Sequence, residues 1–103
     1  MIYYSQKAFD DLDNIFYGLI IWPKHPLEPE HAKQYVRNIE EMCNSLDGKF
    51  YHQKTSYITH KKYGNYVYQY KRNQNTSWYI IYNKSLSNDI FIERIINNYL
   101  TID

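Results

Sequence analysis

With 103 residues, the chain is long enough for one compact domain, which we expect to span residues 1–103. Its single cysteine, Cys43, excludes an internal disulfide, and its longest apolar cluster is far too short to span a membrane. We therefore expect a cytoplasmic protein without a membrane partner. A formal net charge of only +1 does not by itself indicate a nucleic-acid-binding protein.

The amino-terminal segment predicts a short strand followed by a helix. Residues 2–4 are apolar and aromatic, which is typical of a strand. Ser5 suits the N-cap of a helix that begins at residue 6, in which apolar residues recur at helical spacing. We expect this helix to end at residues 22–23, because the residue before Pro23 avoids helical backbone angles.

A second helix is predicted over residues 29–46. Pro29 suits a first helical turn, and Gly48 suits the end of a helix. One apolar stripe runs along the segment: Ala32, Tyr35, Val36, Ile39, Met42, Cys43 and Leu46. Because the connection to the first helix is short, the two helices should form an antiparallel pair.

The second half of the chain changes to a period of two, which predicts strands. We expect a strand or extended arm over residues 55–60 and a short helix or tail over residues 97–102. Three further strands are predicted at residues 66–71, 77–83 and 90–95. The order strand, helix, helix and three strands predicts an α+β fold. In it, the antiparallel helix pair packs on one face of a mainly antiparallel sheet and leaves the other face open.

Charge is unevenly distributed along the chain. Residues 1–52 carry five bases against eight acids, whereas residues 53–103 carry seven bases against three acids. No acidic residue lies between Asp47 and Asp89, a stretch that holds seven Lys and Arg residues interleaved with tyrosines. Such a surface attracts phosphate and offers rings on which bases stack, so the pattern favours an anionic partner, nucleic acid first.

The strand predicted at residues 66–71 has two interpretations. Alternation places Tyr66, Tyr68, Tyr70 and Arg72 on one face and Lys71 on the other. The tyrosines then either stack on bases or pair across strands to stabilise the sheet. Arg72 and Lys71 either contact phosphate or lie at a solvated loop end.

Two further groups are candidates for the site. His60, Lys61 and Lys62 form a basic cluster in which His60 could transfer protons and the lysines could stabilise negative charge. A solvated loop is the alternative. Arg94 should share a strand face with the isoleucines before it, and it either reaches the same site or pairs with Glu40 or Glu41.

Metal and nucleotide-loop chemistry are disfavoured. The four histidines lack ligand spacing, and one cysteine cannot build a thiolate site. With three glycines in the chain there is no glycine-rich phosphate loop. Cys43 lies on the apolar stripe, so we expect it to be a buried packing residue. We expect no cofactor.

As a whole, the chain resembles the RelE/ParE superfamily of bacterial type II toxins. The similarity extends over nearly the full length and depends on the order and spacing of short motifs. These are Ile2-Tyr3-Tyr4-Ser5, Ala8 and Leu12, Trp78-Tyr79-Ile80-Ile81-Tyr82, and Ile90-Phe91-Ile92-Glu93-Arg94-Ile95. Lys71-Arg72-Asn73 and Ile95-Ile96-Asn97-Asn98-Tyr99 look like a subgroup labelled plasmid-stabilisation toxins.

This resemblance implies a toxin that a cognate antitoxin holds inactive. RelE-like members cleave mRNA on the ribosome as endoribonucleases, and ParE-like members poison DNA gyrase. For cleavage, the resemblance and the basic clusters together give Lys62, Arg72, Tyr99 and His60 as catalytic candidates. The nucleic-acid-binding candidates are Lys61, Lys71, Tyr68, Tyr70 and Arg94. The family commonly places an arginine after the aromatic residue that opens its third strand, whereas here Trp78 is followed by Tyr79. A gyrase poison and a non-catalytic RNA-binding module are therefore kept as alternatives.

Overall fold

A mixed four-stranded sheet forms the centre of the computed structural model, which describes residues 1–97. Its strands lie in the order β1-β4-β3-β2, where β1 is Ile2–Tyr4, β2 is Tyr66–Lys71, β3 is Ser77–Lys84 and β4 is Ile90–Asn97. β1 pairs parallel with β4, and the other two pairings are antiparallel. The α+β class is confirmed, and the predicted strand, helix pair and three strands occur in that order. A third helix that was not predicted lies before β2, and the parallel β1 makes the sheet mixed.

Two long helices cover one face of this sheet, and both end slightly earlier than predicted. Ser5 is the N-cap of helix α1 (Gln6–Ile20), and its side-chain oxygen accepts a hydrogen bond from the Ala8 N–H at 3.0 Å. Helix α2 (Pro29–Asn44) is followed by a 3₁₀ turn, Leu46–Gly48. None of the helices described is long and apolar enough to cross a membrane.

The prediction of an extended segment at residues 55–60 is wrong from residue 58 onward. Helix α3 (Ile58–Lys61) forms a single turn there, and upstream only Lys54 bridges to Tyr66 in β2. The period of two in this half of the chain suggested a strand, but the Tyr57 carbonyl accepts hydrogen bonds from both the His60 and Lys61 N–H groups. At the other end of the chain, β4 continues to Asn97, and the rest of the predicted terminal helix or tail lies outside the described residues.

The two faces of the sheet are buried to different extents. The main core fills the space between the sheet and helices α1 and α2, and Ile39, Ile80 and Ile92 are fully buried in it. A smaller cluster of Val67, Ile81 and Ile96 lies on the other face, with Tyr63 and Tyr79 packed against it. The face that was expected to be open is therefore partly covered by the segment that contains α3.

A bulge in β4 changes which side chains share a face. Tyr82 pairs with Ile92 and Ile81 pairs with Arg94, so Glu93 is an extra residue in β4. Because side chains alternate along a strand, the extra residue moves Arg94 to the face opposite Ile92. The prediction that Arg94 shares a face with Ile90 and Ile92 is therefore wrong.

Asp11 of α1 connects that helix to the edge of β4. The Arg94 guanidinium donates to both Asp11 carboxylate oxygens, from Nε at 2.8 Å and from Nη2 at 3.0 Å. The Ile95 backbone N–H donates to Asp11 Oδ2 at 2.8 Å. The hydrogen bonds that the Arg94 guanidinium donates to Asp11 raise the pKa of Arg94. Arg94 thus pairs with Asp11 instead of Glu40 or Glu41, and Asp11 does not belong to the exposed face of α1.

Replacing Asp11 should destabilise the fold. Asp11 and Arg94 are only 12% and 22% exposed, so Asp11→Ala leaves a half-buried guanidinium and the Ile95 N–H without their acceptor. We expect the free energy of unfolding to fall by about 2–4 kcal/mol in urea denaturation. The matched control is Asp13→Ala, which removes an exposed carboxylate from the same helix and should change stability by less than about 0.5 kcal/mol. Equal losses in the two variants would contradict the role given to Asp11.

Candidate nucleic-acid interface

Three exposed lysines lie on the side of the sheet away from α1 and α2. Lys61 ends α3, Lys62 follows it, and Lys71 lies on the same face of β2 as Val67. Tyr57 and Tyr79 belong to the same side, because both rings pack against His60 of α3. We call these five residues, Tyr57, Lys61, Lys62, Lys71 and Tyr79, the basic face.

Helix α3 is held against the sheet by a close backbone approach at Gly64. A Cβ at this position would lie 3.0 Å from Ile81 Cγ2 and 3.0 Å from the Tyr82 carbonyl oxygen. The Gly64 carbonyl also accepts a hydrogen bond from Thr55 Oγ1 at 3.0 Å. The sequence therefore needs glycine here so that the segment carrying Lys61 and Lys62 can reach the sheet.

His60 lies beneath the basic face and not on it. Its side chain is 1% exposed, and its ring centroid is 5.1 Å from that of Tyr57 and 4.9 Å from that of Tyr79. Burial and the nearby Tyr57 raise the pKa of Tyr79. The predicted role of His60 in proton transfer requires contact with a bound phosphate, and burial removes the ring from the surface where that contact would occur.

Tyr63 connects the basic face to Arg94. The Lys62 ammonium lies 5.1 Å from the centroid of the Tyr63 ring, and the Arg94 guanidinium lies 4.6 Å from it. Arg94 therefore reaches the margin of this side of the sheet. Its charge, however, is neutralised by Asp11, so Arg94 contributes less to phosphate attraction than the exposed Lys61 and Lys62 do.

Arg72 lies on the helix side of the sheet, away from Lys62. Its guanidinium carbon is 3.8 Å from the centroid of the Tyr35 ring, and its Nη1 donates to the Tyr70 hydroxyl at 3.4 Å. The Trp78 indole N–H in turn donates to the Tyr35 hydroxyl at 2.9 Å. Arg72 thus connects β2 to α2, and the structure does not bring it together with Lys62.

Tyr68 and Tyr70 pack against the main core. Both are half-buried, and the Lys49 ammonium covers the Tyr68 ring at 4.6 Å from its centroid. On the same face, the Tyr66 ring stacks on Tyr82 of the neighbouring strand with centroids 5.7 Å apart. Cross-strand packing is therefore the interpretation that fits these tyrosines, and the prediction that Tyr68 and Tyr70 form an open stacking surface is corrected.

The predicted catalytic residues occupy different places. Lys62 is exposed on the basic face, His60 is buried beneath it, and Arg72 lies on the opposite side of the sheet. Tyr99 lies outside the described residues. Sequence reasoning did not place Tyr57 and Tyr79 around His60. Both tyrosines belong to the acid-free stretch whose interleaved rings were predicted to stack on bases. Their contact with His60 was not predicted, because the helical turn that carries His60 was not predicted.

The arrangement of residues 1–97 does not support metal or thiol chemistry. No group of three His, Cys, Asp or Glu side chains in this part of the chain is arranged to hold a metal ion. Burial raises the pKa of the Cys43 thiol to about 12, so the reactive thiolate is scarcely populated at neutral pH. Cys43 is a packing residue of α2, and the exposed lysines remain the chemically distinctive groups.

A cavity of about 500 Å³ is lined mainly by residues of α1 and the end of β4, with Trp22, Tyr35 and Trp78 also in its lining. Arg94 and Asn97 also line it, but none of the three lysines of the basic face does. The cavity and the basic face are therefore separate features.

Comparison of the chain with protein-family models, curated proteins and solved structures gives no match.

Enlarging Gly64 should loosen the segment that carries Lys61 and Lys62. Gly64→Ala forces Ile81 or the β3 backbone to move, and we expect a loss of about 1–3 kcal/mol in the free energy of unfolding. Gly18→Ala is the matched control, because no atom lies within 4 Å of the added methyl group. On the exposed surface of α1 this change should stabilise by up to about 1 kcal/mol. Urea denaturation measures both variants, and a neutral Gly64→Ala would contradict the close approach.

Proposed function

We propose that the protein is the toxin of a bacterial type II toxin–antitoxin pair, of the RelE/ParE type, which acts on ribosome-bound mRNA. The observation that carries the proposal is the basic face. Its three exposed lysines share one side of the sheet with Tyr57 and Tyr79, and the stretch that holds them has no acidic residue. Clustered lysines attract phosphate over several ångströms, and aromatic rings accept bases.

The architecture supports the toxin class. The resemblance implies a strand, two helices and three further strands. The described residues contain these elements in this order, with the 3₁₀ turn and α3 inserted before β2. Residues that carry the resemblance hold these elements together: Ser5 caps α1, Ala8 and Leu12 are buried under the sheet, and Trp78 bonds Tyr35. The cognate antitoxin enters the proposal through the resemblance alone.

Within an mRNA-cleaving mechanism, the lysines would bind and polarise the RNA. Cleavage by a 2′-hydroxyl develops negative charge on the adjacent phosphate, and exposed Lys62 is the best placed of the predicted catalytic residues to stabilise that charge. Lys61 and Lys71 would hold neighbouring phosphates. Since His60 is buried, it would orient the Tyr57 and Tyr79 rings instead of transferring protons.

A gyrase poison is the second candidate, and a specific observation favours it. Arg72 packs on Tyr35 across the sheet from Lys62, and Tyr79 stands where the family commonly has an arginine. Among the described residues, the catalytic candidates Lys62 and Arg72 therefore lie on opposite sides of the sheet, and His60 is buried. These three side chains do not meet at one exposed site. A poison that binds gyrase requires no such combination.

Controlled expression in a bacterial host tests the toxin class and separates the targets. We expect growth arrest together with new mRNA 5′ ends that appear only during translation. Lys61→Ala/Lys62→Ala should relieve the arrest, whereas the matched double variant Lys7→Ala/Lys24→Ala, which removes two exposed lysines of the amino-terminal half, should not. A DNA-damage response without new mRNA ends would identify the gyrase poison. RNA binding without growth arrest would indicate a non-catalytic binding module.

Salt dependence tests the basic face directly. The plot of log affinity against log salt for single-stranded RNA should have a negative slope. The double variant Lys61→Ala/Lys62→Ala should reduce that slope in magnitude by about 1.4, since each phosphate contact on a single strand contributes about 0.7. Fluorescence anisotropy at several salt concentrations measures the slope. If the variant keeps the wild-type slope, these lysines do not contact phosphate.

A further inference from the structure

The segment between the 3₁₀ turn and α3 exposes large apolar side chains. Phe50 is fully exposed, and Tyr51 and Ile58 are 78% and 73% exposed, with Tyr57 about half exposed. We call residues 50–58 the aromatic arm. Aromatic rings are usually buried because they remove a large apolar area from water, so several exposed rings in one short segment indicate a binding surface.

The inner residues of the arm are fixed to the sheet. His52 Nδ1 lies 2.7 Å from the Tyr82 hydroxyl, and the His52 ring packs edge-on against both Tyr66 and Tyr82. Burial raises the pKa of Tyr82 to about 12, so its phenol stays protonated at neutral pH and keeps a hydrogen bond with Nδ1. His52 therefore anchors the arm next to its exposed rings, Phe50 and Tyr51.

A second anchor follows His52 along the chain. The Gln53 carbonyl accepts a hydrogen bond from the Val67 N–H at 2.9 Å, and the Thr55 N–H donates to the Asn65 carbonyl at 3.0 Å. Both bonds attach the arm to β2 or the turn before it. The backbone that carries Phe50 and Tyr51 is thus held before any ligand arrives, which lowers the entropy lost on binding.

Charge identifies the kind of ligand. Lys54 is exposed within the arm, and Lys61 and Lys62 follow it on the basic face. No acidic residue occurs between Asp47 and Asp89, so this surface complements a polyanion. Rings interleaved with lysines suit single-stranded nucleic acid, in which bases are free to stack and phosphates lie close by. In a duplex the base faces are already covered by neighbouring bases.

We infer that the aromatic arm binds unpaired RNA by stacking bases on Phe50 and Tyr51, while exposed Lys54 contacts an adjoining phosphate. Lys61 and Lys62 lie on the other side of β2 and contact phosphates farther along the RNA. This inference rests on the proposed function and adds to it the surface on which the RNA bases would stack. Stacking is tolerant of base identity, so the arm selects single-stranded segments over duplexes without reading a sequence.

The test compares binding of a short single-stranded RNA with binding of a duplex of the same length by fluorescence anisotropy. Phe50→Ala/Tyr51→Ala should weaken single-strand binding by about 10- to 100-fold and change duplex binding little. The swap variant Phe50→Tyr/Tyr51→Phe keeps both rings and should bind as the wild type does. Leu86→Ala is the control, because it removes a fully exposed apolar side chain from the turn between β3 and β4.

The outcomes separate this inference from the proposed function. If the wild type binds both RNAs and the double alanine variant loses affinity equally for both, or not at all, the inference is overturned and RNA binding stands. If the wild type binds neither RNA, the inference and the proposed function both fail.

Crosslinking of 5-iodouracil-substituted RNA gives an independent readout: adducts at Phe50 or Tyr51 are expected, and adducts confined to other segments would overturn the inference. Because Phe50 and Tyr51 are exposed, both variants should keep the wild-type thermal unfolding midpoint.

Discussion

The rest of the structure depends on the contact between Asp11 and the edge of β4. β1 pairs only with the first three residues of β4, so the edge beyond Ile92 would be open. Helix α1 covers it instead, because Ser5 Oγ donates to the Glu93 carbonyl and Asp11 accepts from the Ile95 N–H. The bulge at Glu93 turns Arg94 toward the other face, and Asp11 still reaches its guanidinium around the edge. One carboxylate thus attaches the helix layer to the sheet and closes a strand edge that could otherwise pair with another chain.

The side of the sheet on which they lie divides several Lys and Arg residues of the acid-free stretch into two groups. Lys49 lies over Tyr68 and Arg72 over Tyr35, so these cations stabilise the helix side of the sheet. Lys61 and Lys71 remain exposed on the opposite side. The composition of the stretch therefore overstates the charge available to a ligand. What supports nucleic-acid binding is the smaller set of lysines that the fold leaves exposed on one side, and this set excludes Arg72.

Local sequence signals predicted most helices and strands. The features that were not predicted depend on contacts between distant segments. Ser5 marks the start of α1 because its own side chain caps that helix, and the alternation of β2 follows from its sequence alone. The bulge at Glu93 has no such signal, since it is defined by the register against β3. The predicted face of Arg94 and its predicted pairing with Glu40 or Glu41 were wrong for this reason. Similarly, α3 is a short turn held by the approach of Gly64 to Ile81, a contact across many residues.

The buried Cys43 gives this chain a built-in reporter of opening. Because its side chain is fully buried and burial raises the pKa of its thiol to about 12, an alkylating reagent reaches it only when α2 separates from the core. The rate of labelling then reports the population of molecules in which α2 has separated from the core, because Cys43 does not react in the folded molecule. Any partner that binds only the folded chain lowers that population by mass action. A single native atom can thus register the binding of such a partner without a dye, a tag or knowledge of where the partner docks.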